Sequence, residues 1–420
     1  MKIVLAMCSM VARSGAEWFV SDLALALTRR GHSVVVYAPI MGDMVDGLRA
    51  QCIACVTDLA SVAVPPDVII GHTRDETVAC LAHFPGVPAI SVCHDRTASH
   101  GQPPLFARVR QHVAVDLNCA ERLSLQHGIP PEAVRIISNG VDLGRFHPRA
   151  PLPARPQRAV IFSNYATDSQ DTREVREACA ALGIALDVIG SGVGRQAASP
   201  EDVLGRYDLV FAKARCAMEA MAVGCAVILL NEGMGYAGLV TAANVAEWHP
   251  WNFGRRLMQA PIERDRIVAD IQRYDAGDAQ VVSGYVRRHV SLAAMADAFD
   301  ALARQVVADE AQRVPVAPAV EMREFARHVT DNQQLFGTVP LAVQTGMLLG
   351  ELEQVRAALV SSPPASTSAP LPTAVPALAS ARIGPDPRVA ALERQLGAMR
   401  ASWSWRLTAP MRWLGARIGF

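Results

Sequence analysis

The chain has 420 residues, a mass of 45.0 kDa, 51% hydrophobic and 19% charged residues, so it holds material for two or three packed domains. Its 40 basic residues balance its 40 acidic ones. That neutrality excludes a general nucleic-acid binder, which needs a concentrated basic surface, and the hydrophobic content excludes global disorder.

Residues 2–8 read as a continuous apolar strand of the kind buried on both faces of a parallel sheet. They are too short, and lack the small-residue cleavage pattern, to read as a leader. A helix over 16–30 follows, with Phe19, Leu23 and Leu27 four residues apart, and Gly31 ends it. Strand 32–38 completes a β-α-β unit. The alternation continues with strand 67–72, helix 74–83, strand 88–94, helix 103–111, strand 112–117, helix 119–127 and strand 134–139. A first Rossmann-like domain over 1–148 is expected. Residues 149–157, rich in proline, read as an interdomain linker. A second α/β domain is expected over 158–308: strand 158–164, helix 170–182, strand 185–190, strand 208–212, helix 214–223 and strand 225–230. Ser199-Pro200-Glu201-Asp202 reads as a helix start with Ser199 as the cap. Residues 290–308 form a strongly amphipathic helix. Residues 311–360 are expected as a helical extension, 361–387 as a disordered Pro/Ala/Ser linker, and 388–420 as an amphipathic C-terminal helix. The fold class is therefore α/β, two doubly wound parallel-sheet domains with a helical extension.

Two such domains in tandem place a cleft between the carboxyl ends of their strands. The loop after the first strand, Ser9 to Gly15, has one glycine and no G-x-G-x-x-G, so no dinucleotide cofactor is expected. Where it enters the helix, Ser14 and Gly15 offer N–H groups to an anion; a plain tight turn is the alternative. Only two lysines occur, Lys2 and Lys213. Lys213 sits between strand 208–212 and helix 214–223, with Arg215 beside it, and a cation at a helix start suits a diphosphate. No D-x-D occurs, so no metal site is expected. The nine cysteines are scattered and read as free thiols. No stretch is long and apolar enough for a transmembrane helix. The tail 402–420 mixes Trp403, Trp405 and Trp413 with Arg406, Arg412 and Arg417, which suits a membrane interface; docking on a protein partner is the alternative.

The stretch VRIISNGVDLGRFHP (134–148) resembles the interdomain hinge of GT-B glycosyltransferases of the family 4 type, carried by Asn139, Gly140, Val141, Asp142, Phe146 and Pro148. S-G-A-E at 14–17, RRGHSVVVYAP (29–39) and ERLSLQHGIP (121–130) fit the same resemblance. ARCAMEAMAVGCAVIL (214–229) is similar to the family's donor-gripping helix and strand. The resemblance implies that Glu219 accepts hydrogen bonds from the donor ribose, that His94 contacts the sugar near the reacting carbon, and that Gly233 and Gly235 belong to a donor loop. Arg215 and Asn164 join the expected donor site, and Lys213 is assigned to the leaving diphosphate. The tail motif S-W-R-L-T-A-P is similar to one on bacterial surface-polysaccharide glycosyltransferases. The implied function is a retaining, metal-independent, hexosyltransferase-like enzyme. It moves a sugar from a UDP- or GDP-linked donor to a glycan or lipid-linked acceptor in polysaccharide biosynthesis. It would be cytoplasmic and peripheral on the inner membrane face, with no cofactor and no nucleic-acid partner.

The chain also departs from the family pattern. Phe211 stands where a second glutamate usually lies, eight residues before Glu219. The loop 163–171 lacks the usual Arg and Lys. Seventy residues separate Pro148 from Glu219, fewer than the family usually has. These departures keep two rival readings open, a non-catalytic glycan- or nucleotide-binding relative and a sugar-nucleotide epimerase on the same fold.

Overall fold

The computed structural model describes residues 1–197 and 199–336. Met1–Ala317 form one compact unit, and a second begins at Pro318. The first part of the compact unit runs β1 (Lys2–Ala6), β2 (Ser9–Met10), α1 (Gly15–Arg29), β3 (Ser33–Tyr37), β4 (Ile40–Met41), α2 (Asp46–Ala50) and β5 (Ala54–Val56). It continues through β6 (Val68–Gly71), α3 (Arg74–His83), β7 (Ala89–Cys93), β8 (Val109–Ala114), α4 (Leu117–Glu121) and β9 (Val134–Ile136). Seven of these strands form one parallel sheet in the order β5-β3-β1-β6-β7-β8-β9, with β2 and β4 paired separately. The run Ile3–Ala6 and every residue of β6 and β7 is buried, which is why these strands read as unbroken apolar stretches. Strand order reverses between β1 and β6, so a crevice opens at their carboxyl ends.

The second part runs β10 (Arg158–Phe162), α5 (Gln170–Ala181), β11 (Ala185–Ile189), α6 (Pro200–Leu204), β12 (Leu209–Ala212), α7 (Ala214–Val223), β13 (Ala226–Asn231) and β14 (Gly235–Leu239). The sheet order is β11-β10-β12-β13-β14. All its pairings are parallel except β13 with β14. Its order reverses between β10 and β12, so its crevice lies at Ser163 and Lys213, the residues that follow those strands. Helices α8 (Val245–Trp248), α9 (Arg264–Gln272), α10 (Ala276–His289) and α11 (Leu292–Glu310) follow. The second unit is described over one helix, α12 (Pro318–Phe336). No described helix is long and apolar enough to cross a membrane.

Four local readings change. The helix expected over 103–111 is absent: 103–106 is irregular and β8 starts at Val109. Pro103-Pro104 favours extended backbone over helix, and Arg108 is drawn away to donate to the carbonyls of Phe84 and Val87 at the end of α3 (3.0 and 2.8 Å). Ser199 precedes α6 with Pro200 in the first turn, but its hydroxyl makes no cap bond. Helix α11 follows the second sheet in sequence, yet Leu292, Met295, Phe299 and Leu302 are buried in the core of the first. The proline-rich stretch after the hinge is held against the second domain. Arg149 pairs with Asp208 at 2.9 Å, Asp208 also accepts from the N–H of Gln157, and Tyr274 donates to the Pro153 carbonyl.

The chain crosses between the two sheets at Val141 and again at Ser291, and the two crossings pair with each other. The Val141 N–H donates to Val290, and the Leu292 N–H donates to Val141, both at 2.9 Å. Gly140 is required there, because a Cβ would lie 2.6 Å from the Leu292 Cα. Asp142 turns the chain by accepting from the Gly144 N–H, and Phe146 anchors it in the second core. Asn139 donates to the Asn252 side chain at 3.0 Å. The extension beyond residue 336, the linker 361–387 and the C-terminal segment 388–420 lie outside the described residues.

Candidate functional site

Between the two sheets lies a narrow cleft of about 90 Å³. Its walls are Arg13, Gly15 and Trp18 at the start of α1, Arg145 and Phe146 of the hinge, the β10 end Phe162–Asn164, and Arg215, Cys216 and Glu219 of α7. Of the residues expected from sequence, Gly15, Asn164, Arg215 and Glu219 meet here. Ser14, His94, Lys213, Gly233 and Gly235 are not among its walls.

At the start of α1 the Ser14 N–H is already occupied: Glu17, 3% exposed, turns back onto the loop, while the N–H groups of Gly15 and Ala16 have no hydrogen-bond partner among the described residues. The Glu17 carboxylate accepts from the N–H groups of Val11 (3.1 Å), Ala12 (2.9 Å) and Ser14 (2.7 Å). Ser14-x-x-Glu17 is the sequence pattern of a capping box, so this was readable.

The start of α7 is built differently. The Ala214 N–H donates to the Phe253 carbonyl at 2.8 Å, and the Ala217 N–H to the Lys213 carbonyl. The N–H groups of Arg215 and Cys216 have no backbone partner among the described residues. Ala214, Asn252 and Phe253 all have positive φ, at 47°, 58° and 48°. Three non-glycine residues in that region meet at one junction, and such strain collects where surrounding structure fixes a site. The Asn139–Asn252 bond ties this junction to the hinge.

Lys213 lies at the same junction. Its ammonium stands 5.0 Å from the centre of the Tyr165 ring and carries no ion pair among the described residues. Burial pushes its pKa down; Cys216 and then Asp95, on the loop after β7, act in the opposite direction.

Glu219 is buried and held by Arg215, whose Nε donates to it at 2.7 Å. A second Arg215 nitrogen donates to Asp22, a buried acid on α1. Asp22 also has Arg145 at 3.8 Å, and Arg145 forks onto Glu201 at 2.9 and 3.0 Å while lying over Trp18. Burial raises the pKa of Glu219, and Arg215 works against it. Asp22, Arg145 and Glu17 were not singled out in the sequence. The signal for Asp22 was an acid three residues after Phe19 on the apolar face of the first helix.

His94 shares a 2.8 Å hydrogen bond with His72, Nε2 to Nδ1, and meets the edge of Phe19 at 4.8 Å between ring centres. Burial, then the charge of His100, pushes the His94 pKa down to about 4, so the ring is neutral near pH 7. His72 stands at the carboxyl end of β6, beside the switch point of the first sheet.

Asn164 spends its side-chain oxygen on the Ser191 N–H (3.1 Å), and its carbonyl accepts from Gly192. Gly190 and Gly192 have no room for a Cβ, which would lie 1.9 and 2.2 Å from the carbonyl oxygens of Ser163 and Ala166. Gly233 lies in the hairpin turn between β13 and β14, and Gly235 opens β14. Gly233 donates to Asp171 at 3.1 Å, and a Cβ on Gly235 would meet two carbonyls at 2.8 Å. This turn explains both glycines without a ligand. Phe211 is fully buried in β12 and packs with Ile161, Leu209 and Ile228 in a core distinct from the one that holds Phe146, so its position does not face the cleft. Among the described residues, no group of three or more His, Cys, Asp or Glu side chains is placed to hold a metal ion.

No protein-family model matches the chain, and no curated protein is similar to it in sequence. Solved structures do match. A glycosyltransferase from Rickettsia africae aligns with TM-score 0.53 and 12% identity, over 73% of this chain and 98% of that one. HepE from Anabaena in complex with UDP aligns with TM-score 0.53 and 14% identity, over 73% and 100%. Its complex with UDP-glucose gives TM-score 0.51 and 15% identity, over 74% and 100%. The fold is GT-B. In this GT-B fold the cleft lies between the carboxyl ends of the parallel strands of the two sheets, and Lys213 marks the second sheet's switch point.

Proposed function

We propose that the chain is a family 4-type glycosyltransferase that moves a sugar from a UDP- or GDP-linked donor to a glycan or lipid-linked acceptor. One observation carries this reading. The Lys213 ammonium is partly buried at the start of α7 and has no carboxylate partner among the described residues. A partly desolvated cation with no carboxylate at ion-pair distance, only Asp95 acting from further off, is costly, and a bound diphosphate supplies a close counter-ion. HepE, of like fold, has been solved with UDP and with UDP-glucose, which supports a uridine-linked donor.

In this mechanism Lys213 and the N–H groups of Arg215 and Cys216 stabilise the charge that develops on the leaving diphosphate. Neutral His94 contacts the sugar near the reacting carbon, and Glu219 accepts from the ribose hydroxyls. Asn164 lines the donor wall. Transfer proceeds with retention and without a metal. A role in surface-polysaccharide assembly, at the inner membrane face through residues 402–420, completes the proposal; that tail lies outside the described residues.

The test is a thermal-shift and calorimetric screen of the full chain against UDP, GDP and their sugar conjugates, with Lys213→Ala and Glu219→Ala alongside. A nucleotide that stabilises the wild type and neither variant supports the reading. A well-folded protein that binds none of them overturns it. One observation favours a second reading, a non-catalytic binding relative: Glu219 is already satisfied by Arg215 at 2.7 Å. Nucleotide binding without sugar transfer to any acceptor would favour that reading.

A further inference from the structure

Every arginine of the cleft wall has an internal carboxylate. Arg13 pairs with Asp43 at 3.1 Å, Arg145 with Glu201, and Arg215 with Asp22 and Glu219. An anion entering the cleft therefore has to share or displace one of these partners to use a guanidinium. The three pairs differ in what they join. Arg13 and Asp43 both belong to the first domain and lie on its surface. Arg145 is locked, bidentate on Glu201 and flanked by Trp18 and Phe146 at 5.4 and 5.5 Å. The Arg215–Asp22 pair alone ties α7 of the second domain directly to α1 of the first.

We propose that Asp22 stands in for the donor's diphosphate, holding Arg215 across the closed cleft until a diphosphate takes its place. This rests on the glycosyltransferase reading and adds a residue, Asp22, and an exchange to it. Nothing is left unpaired by the exchange. Asp22 keeps Arg145, already 3.8 Å away, and Arg215 keeps Glu219. Arg215 then joins Lys213 at the start of α7 and supplies the cation that the loop 163–171 lacks. Because Asp22 and Arg215 lie on different domains, the same exchange loosens the α1–α7 contact as the donor binds. Asp22 thus opposes binding of any diphosphate and is indifferent to an uncharged nucleoside.

The experiment is calorimetric titration of the full chain with inorganic pyrophosphate and, separately, with uridine. The proteins are wild type, Asp22→Asn, Arg215→Gln and the double variant. Asp22→Asn is expected to bind pyrophosphate about tenfold more tightly than wild type, an ordinary coupling between competing groups. Uridine binding should not change, and the double variant should bind pyrophosphate like Arg215→Gln alone. Pyrophosphate binding to Asp22→Asn that is equal to wild type or weaker overturns the exchange and leaves the donor reading standing. So does a gain that survives in the double variant. Absence of pyrophosphate and nucleotide binding by every folded variant overturns both. If Asp22→Asn does not fold, Asp22→Ser removes the same charge with less bulk and carries the same expectations.

Discussion

Two helices start at the cleft, alike in their place after a strand and different in chemistry. Each follows a buried parallel strand that borders its sheet's switch point, and each presents N–H groups toward the space between the domains. At α1 the anion is built in: the Glu17 carboxylate takes three of the loop's N–H groups. At α7 no acid occupies that place and Lys213 adds a positive charge; the N–H groups of Arg215 and Cys216 remain, as do those of Gly15 and Ala16 at α1. The first N–H groups of the two helices are positioned alike; what differs is the charge beside them, a buried carboxylate on the loop at α1 and a lysine at α7.

The largest expected effect lies at the start of α7. Lys213→Ala should weaken binding of a nucleoside diphosphate about 100-fold, from the loss of a charge-assisted contact, while leaving the melting temperature unchanged or higher. Calorimetry with thermal melting reads both numbers, and unaltered affinity would erase the contrast between the two helices. At the start of α1, Glu17→Ala should lower stability by about 2 kcal/mol, because three N–H groups lose a charged acceptor. Sulfate should restore more stability to that variant than to wild type, since an anion then has somewhere to sit. Equal sulfate effects would show that the loop does not close around Glu17.

A smaller effect concerns the His72–His94 pair beneath α1. His94 has its pKa lowered from 6.5 to about 4 in the folded chain by burial and then by His100, against the opposing pull of Asp95. The unfolded chain therefore takes up protons first as pH falls. Stability contributed by the neutral ring is fully present above about pH 6.5 and is lost on acidification toward pH 4. Denaturant melts at pH 7 and 5 should show that loss, and His94→Asn should reduce it. The smallest effect is at the strained junction. Ala214→Gly should gain about 1 kcal/mol by relieving a positive φ, with a melting rise of a few degrees. No gain would mean that the junction stores no strain.

Much of the frame was legible because parallel strands covered on both faces are continuous apolar runs. Helix α7 was readable to the residue, since Lys213 follows a buried strand and Gly224 closes the helix with φ 101°. The hinge was readable because Gly140 and Asp142 serve backbone geometry that few other residues satisfy. Strand β14 was not, since its two glycines, Gly235 and Gly238, hide any alternation, and its edge place depends on pairing with β13. The helix read over 103–111 failed because the Arg108 side chain is committed to a distant helix end. The Asp22–Arg215–Glu219 chain of charges escaped for a similar reason. Asp22 and Arg215 lie 193 residues apart, and only the meeting of the two sheets' helices brings them together.

The account turns on which helix start receives the diphosphate. The most direct measurement is a crystal structure of the full chain soaked with UDP. The account predicts the β-phosphate beside the Lys213 ammonium and the N–H groups of Arg215 and Cys216. A phosphate found instead at Gly15 and Ala16, with Lys213 untouched, would contradict it.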